Sequence, residues 1–257
     1  MSSVIQKILA VLFPRRCPVC GEFTDSQSPH LCRSCAEALM TEYAKHCPVC
    51  KRTAATCSCL VSALSKDPCP VTVLGFYEPG NTGSVSSRLV YALKHQTDDG
   101  AAHVFARDLS GAILRAFLIA GEDIRTWTVT FTPRSDLGYE ENGFDQAKRL
   151  AKLFARYTGA RYEPIFRRRG GEEQKDLSAK EREENATTIC LRHPRRKHAG
   201  KYIVVDDIMT SGATMAECIR LLSTHGAESV RIAVPLRTMP RQADKELWYA
   251  SLGNNIQ

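Results

Sequence analysis

A chain of 257 residues that is 43% hydrophobic and 25% charged is ordinary globular material, long enough for one α/β core and a small extra module. No apolar run approaches the roughly 20 residues of a membrane span, so no transmembrane segment is expected. The formal net charge of +7 counts the 11 cysteines as neutral, and their arrangement changes that figure.

The chain opens with a short apolar segment, Val4 to Phe13. Lys7 interrupts it and Pro14-Arg15-Arg16-Cys17 follows where a signal peptide would carry a small-residue cleavage site, so a docking helix is expected, with membrane attachment the lesser alternative. Four close cysteine pairs come next: Cys17-x₂-Cys20, Cys32-x₂-Cys35, Cys47-x₂-Cys50 and Cys57-x-Cys59. Two cysteines in a tight turn can aim both thiolates at one tetrahedral Zn²⁺, so four pairs supply two structural Cys₄ zinc sites. A disulfide framework is the competing reading for a secreted protein, and redox C-x-x-C motifs are another. Spacing leaves the pairing open; sequential use, with the first two pairs in one site and the last two in the other, needs only short loops. Eight thiolates with two Zn²⁺ add about −4, leaving a net charge near +3. Residues 1–60 therefore read as an apolar helix and a zinc-binding module, too poor in large apolar residues to fold without metal. Cys69, Cys190 and Cys218 stand alone and read as small core residues.

Ser, Lys, Pro and Cys without periodicity mark residues 61–70 as a linker. A second unit, 71–257, alternates strands and helices. Strands are expected over Val71–Tyr77, Trp127–Thr132, Arg161–Phe166, Thr187–Leu191, Tyr202–Val205 and Val230–Pro235. Helices are expected over Ser84–His95, His103–Ile119, Asp145–Tyr157 and Ala213–Leu222, the last ending at Gly226. That alternation predicts an α/β fold, a doubly wound and mostly parallel sheet behind the small Cys-rich module.

The most informative stretch is Val204-Val205-Asp206-Asp207-Ile208-Met209-Thr210-Ser211-Gly212-Ala213-Thr214. It runs from an apolar strand through two acids into a small-residue turn that opens a helix, placing the turn at the carboxyl edge of the sheet, where open α/β folds bind ligands. Thr210, Ser211 and Thr214 offer hydroxyls, Gly212 lets backbone approach closely, and unpaired N–H groups at the helix start favour an anion. Asp206 and Asp207 can accept from vicinal ribose hydroxyls or hold a hydrated Mg²⁺. A merely capped helix would explain Thr210 or Ser211, yet not paired acids ending an apolar strand. A Walker-type loop is excluded, since no Gly-Lys-Ser/Thr closes the turn.

Two further loops are candidates. Thr132–Tyr139 follows a strand onto the same edge, and its Arg134 can grip pyrophosphate or be a plain solvated cation. Arg167–Lys175 is charged and glycine-hinged, suited to closing over an anion or to plain mobility. The basic stretch from Arg192 to Lys201 could track a phosphate backbone, but it lacks aromatics for base stacking and reads first as a solvated hairpin loop.

The signature resembles the 5-phosphoribosyl-1-pyrophosphate (PRPP) site of the type I phosphoribosyltransferases. That resemblance implies that Asp206 and Asp207 meet the ribose hydroxyls of Mg²⁺-bound PRPP, with Val205 to Thr214 lining the site and Thr210 to Thr214 wrapping the 5-phosphate. Over nearly its full length the chain resembles the ComF family, a cysteine-rich zinc module preceding a phosphoribosyltransferase domain. The resemblance rests on Phe13-Pro14 before the first cysteine pair, Leu93-Lys94, Gly143-Phe144-Asp145-Gln146-Ala147 and the spacing Gln174-x₂-Leu177-Ser178-x₃-Arg182-x₂-Asn185. It implies phosphoribosyl transfer from PRPP to an unidentified acceptor and a role in DNA uptake and competence, with single-stranded DNA or competence proteins as partners. The alternative is a non-catalytic protein of the same fold that senses PRPP or a nucleotide, or holds single-stranded DNA. A nucleotide-type site beside reduced cysteines implies a cytoplasmic location. Three segments depart from the family: Asn142-Gly143-Phe144-Asp145-Gln146 stands where Arg-Gly-Phe-Asn-Gln is usual, Gly171 where a threonine is usual, and Phe131-Thr132-Pro133 where Pro-Val-Pro is usual.

Overall fold

In the computed structural model, which describes residues 15–25, 30–57, 59, 64, 69–95, 99–134, 145–168 and 188–240, the apolar runs of the second unit become one parallel sheet. In chain order the strands are β1 (Val71–Tyr77), β2 (Trp127–Phe131), β3 (Arg161–Tyr162), β4 (Phe166–Arg168), β5 (Ile189–Leu191), β6 (Gly200–Val205), β7 (Ile208–Met209) and β8 (Ala227–Thr238). The main sheet runs β1-β8-β6-β2-β3 with β7 alongside β8, every pairing parallel. Strands β6 and β8 carry continuous buried runs, Ile203–Val205 and Ile232–Leu236, as central parallel strands covered on both faces must.

The helices are α1 (Arg33–Tyr43), α2 (Val85–His95), α3 (Gly100–Ala120), α4 (Gln146–Thr158) and α5 (Ala213–Thr224). Leu89, Phe105, Leu109 and Phe154 from α2, α3 and α4 build one core against Val129, Ile203 and Val205. On the other face Cys218 and Leu222 of α5, with Phe166 and Leu191 of the β4–β5 hairpin, pack on Val204 and Val234. This is the doubly wound α/β architecture expected. Asp145 is the N-cap of α4, accepting from Lys148 N–H at 2.9 Å, and Gly159 at φ 75 ends that helix in the left-handed region.

Some expectations change. The strand expected over Arg161–Phe166 is two strands in different sheets, because Pro164 between them has no N–H to continue a ladder. Arg167 and Arg168, expected in a loop, pair antiparallel with Cys190 and Ile189; the rest of that loop lies outside the described residues. So do Val4–Phe13, most of 61–70, and 135–144. The basic stretch is not simply solvated: Arg196 pairs with Glu163 at 2.5 Å, and His198 is buried, which lowers its pKa.

The cysteine-rich segment contains a repeat. Cys17-Pro18-Val19-Cys20-Gly21 and Cys47-Pro48-Val49-Cys50-Lys51 fold alike: Cys17 N–H donates to Glu22 O at 2.7 Å and Cys47 N–H to Arg52 O at 2.8 Å. Both end in a left-handed residue, Gly21 at φ 79 and Lys51 at φ 59. The segment straddles the β1 edge of the sheet. Cys17 and Cys35 join the core beneath α2 and α3, whereas Cys47, Cys57 and Cys59 join the core on the α5 face.

Helix α1 lies against β1. The Glu42 carboxylate accepts from Val85 N–H at 2.7 Å and Ser86 N–H at 2.9 Å, satisfying two orphan donors at the start of α2, and Lys45 pairs with Glu78 at 2.7 Å. Tyr43 sits on Gly75 so closely that a Cβ there would lie 2.7 Å from its ring and 3.3 Å from its Cα. An open edge strand invites pairing with other chains, and α1 covers this one. Gly75→Ala is expected to destabilise the metal-loaded protein by about 1–3 kcal/mol through overpacking, lowering the thermal midpoint by roughly 5 °C. An unchanged midpoint in a thermal melt would mean α1 does not hold to β1 in solution.

Candidate phosphate-binding and metal sites

The last register pair of β2 and β6 is Phe131 with Val205, so both strands deliver their next residues to the carboxyl edge side by side. Thr132 and Arg134 leave β2 there, and Asp206 and Asp207 leave β6. The short β7 then pairs Ile208 with Leu236 and Met209 with Arg237 of β8, a strand the sequence did not announce. It bends the chain across the sheet edge before Gly212, at φ 78, opens α5. Ser211 Oγ accepts from Ala213 N–H at 3.4 Å, and Gly212 rather than a hydroxyl residue holds the N-cap position. The turn from Thr210 to Thr214 thus precedes a 12-residue helix whose N-terminal dipole favours an anion.

The two acids fold back onto their own backbone. Asp206 Oδ1 accepts from Asp207 N–H at 2.9 Å, and Asp207 Oδ1 from Ile208 N–H at 2.8 Å. Burial, reinforced by the neighbouring Asp207 charge, raises the Asp206 pKa well above the usual carboxylate value, against hydrogen bonds from Thr132 and the Asp207 N–H. Asp145 is drawn into the same field. Its carboxyl is also raised, by burial first and by Asp207, while the Lys148 N–H and Arg134 oppose. Arg134 has a buried Nη1 with no hydrogen-bond partner among the described residues. The edge therefore gathers three acids, one under-bonded guanidinium and a small-residue turn.

Sequence reasoning placed Arg134, Asp206, Asp207 and the turn on one edge, and the fold brings them there. It missed Thr132 as a donor to Asp206. Asp145 was visible only as an acid standing where the family carries Asn.

A raised carboxylate binds its proton more tightly in the folded state, so folding stability is lost as pH climbs from the unfolded value near 4 through the raised one. Asp206→Asn removes that loss. The variant is expected to melt at higher temperature than the parent at pH 8, with the gap narrowing as pH falls toward 4; a gap that ignores pH would place Asp206 in water.

The eight paired cysteines form two groups, Cys17-Cys20-Cys32-Cys35 and Cys47-Cys50-Cys57-Cys59, each with all sulfurs within 4.8 Å of one another. Pairing is sequential. Sulfurs approach to 3.5 Å between Cys20 and Cys32 and 3.6 Å between Cys50 and Cys57, far beyond a disulfide bond. A tetrahedral ion with bonds of about 2.3 Å sets its sulfurs about 3.8 Å apart, so either group can hold a zinc ion. Burial raises the Cys57 thiol, and the charge of Arg237 opposes it. That arginine, buried on β8, donates from Nη1 to Cys57 O at 2.6 Å and from Nη2 to Cys59 O. Nothing local in the sequence links it to cysteines about 180 residues earlier.

A further cavity of about 550 Å³ opens between the first cysteine knuckle and α2. Tyr77, Arg88, Tyr91, Lys94 and His95 line it, no acid does among the described residues, and the Tyr91 ring is exposed with His95 4.5 Å away. Among the described residues no helix is long and apolar enough to cross a membrane.

Residues 137–256 match the model of the phosphoribosyl transferase domain. The chain carries that domain, on the fold and with the acid-and-turn edge described above. DNA utilization protein YhgH of Escherichia coli O6:H1 (strain CFT073) is 26% identical over 215 residues, covering 81% of this chain and 91% of the relative. Its namesake from Salmonella typhimurium (strain LT2) is 28% identical over the same coverage. Two four-cysteine groups stand ahead of the domain and the relatives are matched along 91% of their length, the arrangement of the ComF family that the sequence resembles. Among solved structures, the allosteric regulatory enzyme of purine biosynthesis aligns at TM-score 0.33 and 18% identity, over 56% of this chain and 29% of that one. The purine phosphoribosyltransferase of Pyrococcus horikoshii Ot3 aligns at TM-score 0.32 and 12% identity, over 52% of this chain and 83% of that one. Superpositions this loose add nothing to the assignment, which stands on strand order and the domain match.

Proposed function

We propose that the chain is a phosphoribosyltransferase that binds Mg²⁺–PRPP at the carboxyl edge of β6 and transfers the phosphoribosyl group to an acceptor, in the service of DNA uptake. The carrying observation is the edge itself: two acids ending a buried central strand, next to Arg134 and continuous with a phosphate-type turn. Asp206 and Asp207 orient the ribose through its hydroxyls, Thr210 to Thr214 hold the 5-phosphate, and Arg134 turns its free Nη1 to the pyrophosphate. The bond from the anomeric carbon to pyrophosphate breaks, the electron pair leaves with pyrophosphate, and a nitrogen lone pair of the acceptor forms the new bond. Among the described residues no side chain stands out as a general base, so the protein's part is positioning and charge stabilisation. The two cysteine groups hold structural zinc, and the absence of disulfides fits a cytoplasmic setting.

Titrating PRPP into metal-loaded protein with and without Mg²⁺, by calorimetry, tests the ligand. Mg²⁺-dependent binding supports the reading; no binding by folded protein overturns it. A second reading rests on the cavity beside α2, whose tyrosines and cations suit stacked bases and a phosphate backbone. In it the fold binds PRPP, a nucleotide or single-stranded DNA without turnover. Binding of a labelled deoxythymidine oligonucleotide with no pyrophosphate release across an acceptor screen favours that reading.

A further inference from the structure

Arg237 is the buried cation that the phosphate site does not use. It is only 4% exposed, and among the described residues no carboxylate pairs with it. Its guanidinium instead grips the carbonyls of Cys57 and Cys59, two members of the second cysteine group. A buried guanidinium needs a counter-charge as well as acceptors. Four thiolates around one Zn²⁺ would carry a net −2, such a counter-charge on the very residues whose carbonyls the guanidinium grips. The backbone of the same residue has a second engagement: Arg237 is the register partner of Met209, the residue before Thr210 and the phosphate turn. Among the described residues the first cysteine group has no such link. It packs on the opposite face of the sheet, among residues of α2 and α3.

We propose that Arg237 is a positioning residue that ties the second cysteine group to the phosphate turn, so that metal in that group, and not in the first, sets the geometry of residues 206–214. With metal bound, the guanidinium has its counter-charge and β8 is held where β7 pairs with it. Without metal, Arg237 becomes an uncompensated buried charge, and the strand that anchors the turn shifts to relieve it. The identity of the ligand at the turn rests on the function proposed above; the coupling does not.

The test uses the full-length, zinc-loaded chain and two readouts that need no substrate. Zinc release to a chromogenic chelator is expected in two phases, and Arg237→Met should speed one of them at least tenfold while leaving the other unchanged. Hydrogen–deuterium exchange of the peptide spanning 206–214 should rise in the same variant. Equal acceleration of both phases would mean general loosening and overturn the proposal, as would faster release with an unchanged turn. Should Arg237→Met fail to fold, Cys59→Ser and Cys20→Ser carry the comparison. Only the first should raise exchange at the turn, and parity between them overturns the coupling. PRPP calorimetry is run separately, so that a wild type that does not bind PRPP refutes the proposed function without touching this result.

Discussion

Removing metal from the zinc-loaded protein with a strong chelator is expected to lower its thermal midpoint by roughly 20 °C or more and to expose the edge of its sheet. Cys17, Cys35, Cys47, Cys57 and Cys59 are all buried, divided between the two cores rather than hung from the surface. A structural zinc site contributes about 10–16 kcal/mol in small finger peptides, against a total of about 5–15 kcal/mol for a typical domain. Finger peptides owe all their folding to metal, whereas the sheet here keeps a core of its own, so the loss is a fraction of that figure and still large against the margin. The first consequence falls on α1, whose Glu42 and Tyr43 hold α2 and β1, so the metal-free chain should self-associate through β1. Elemental analysis, circular dichroism melts and size-exclusion chromatography read this together. Fewer than two zinc ions per chain in fully folded protein, or a metal-free chain with an unchanged melt, would refute the two-site account.

The Asp206→Asn, Asp207→Asn double variant should lose at least about 100-fold in affinity for Mg²⁺–PRPP while folding at least as well as the parent. A hydrogen bond to a charged group contributes about 1.5–3 kcal/mol, and each 1.4 kcal/mol is a factor of ten, so two carboxylates account for that loss. Stability moves the other way, because the raised Asp206 carboxyl is held near Asp207 at a cost to folding. Binding lost together with a higher melting temperature at pH 8 separates a damaged site from a damaged fold. A variant that binds as the parent does would send the ligand elsewhere on the protein.

Much of this was legible in the residues because chemistry, not packing, fixed it. Paired acids at the end of an apolar strand, a glycine-containing turn and four cysteine pairs each have few physical explanations, and the sheet followed from the alternation of periodicities. The sequential pairing of cysteines followed from loop economy. What stayed hidden depends on distant partners. Arg237 lies in an apolar strand and looks like an edge cation until the second cysteine group is folded against it. Tyr43 and Gly75 look unremarkable apart and share one small space together. The strand over 161–166 was misjudged for a nearer reason: the pattern of apolar residues outweighed Pro164, which should have broken it. The likeness of the two knuckles was also available, but a lysine stands at 51 where the first knuckle has glycine, and only the backbone shows that both adopt φ > 0.

The place of β8 has a consequence for how the chain is made. It lies between β1 and β6, yet of the described elements it is the last to leave the ribosome. Until then the nascent β1, made about 150 residues earlier, has no strand to pair with. The cysteine-rich segment, by contrast, precedes β1 and needs only local chain and metal to close its sites. Zinc loading can therefore come first and give β1 a surface to rest on through α1, so that the segment acts as a built-in guardian of an unfinished sheet.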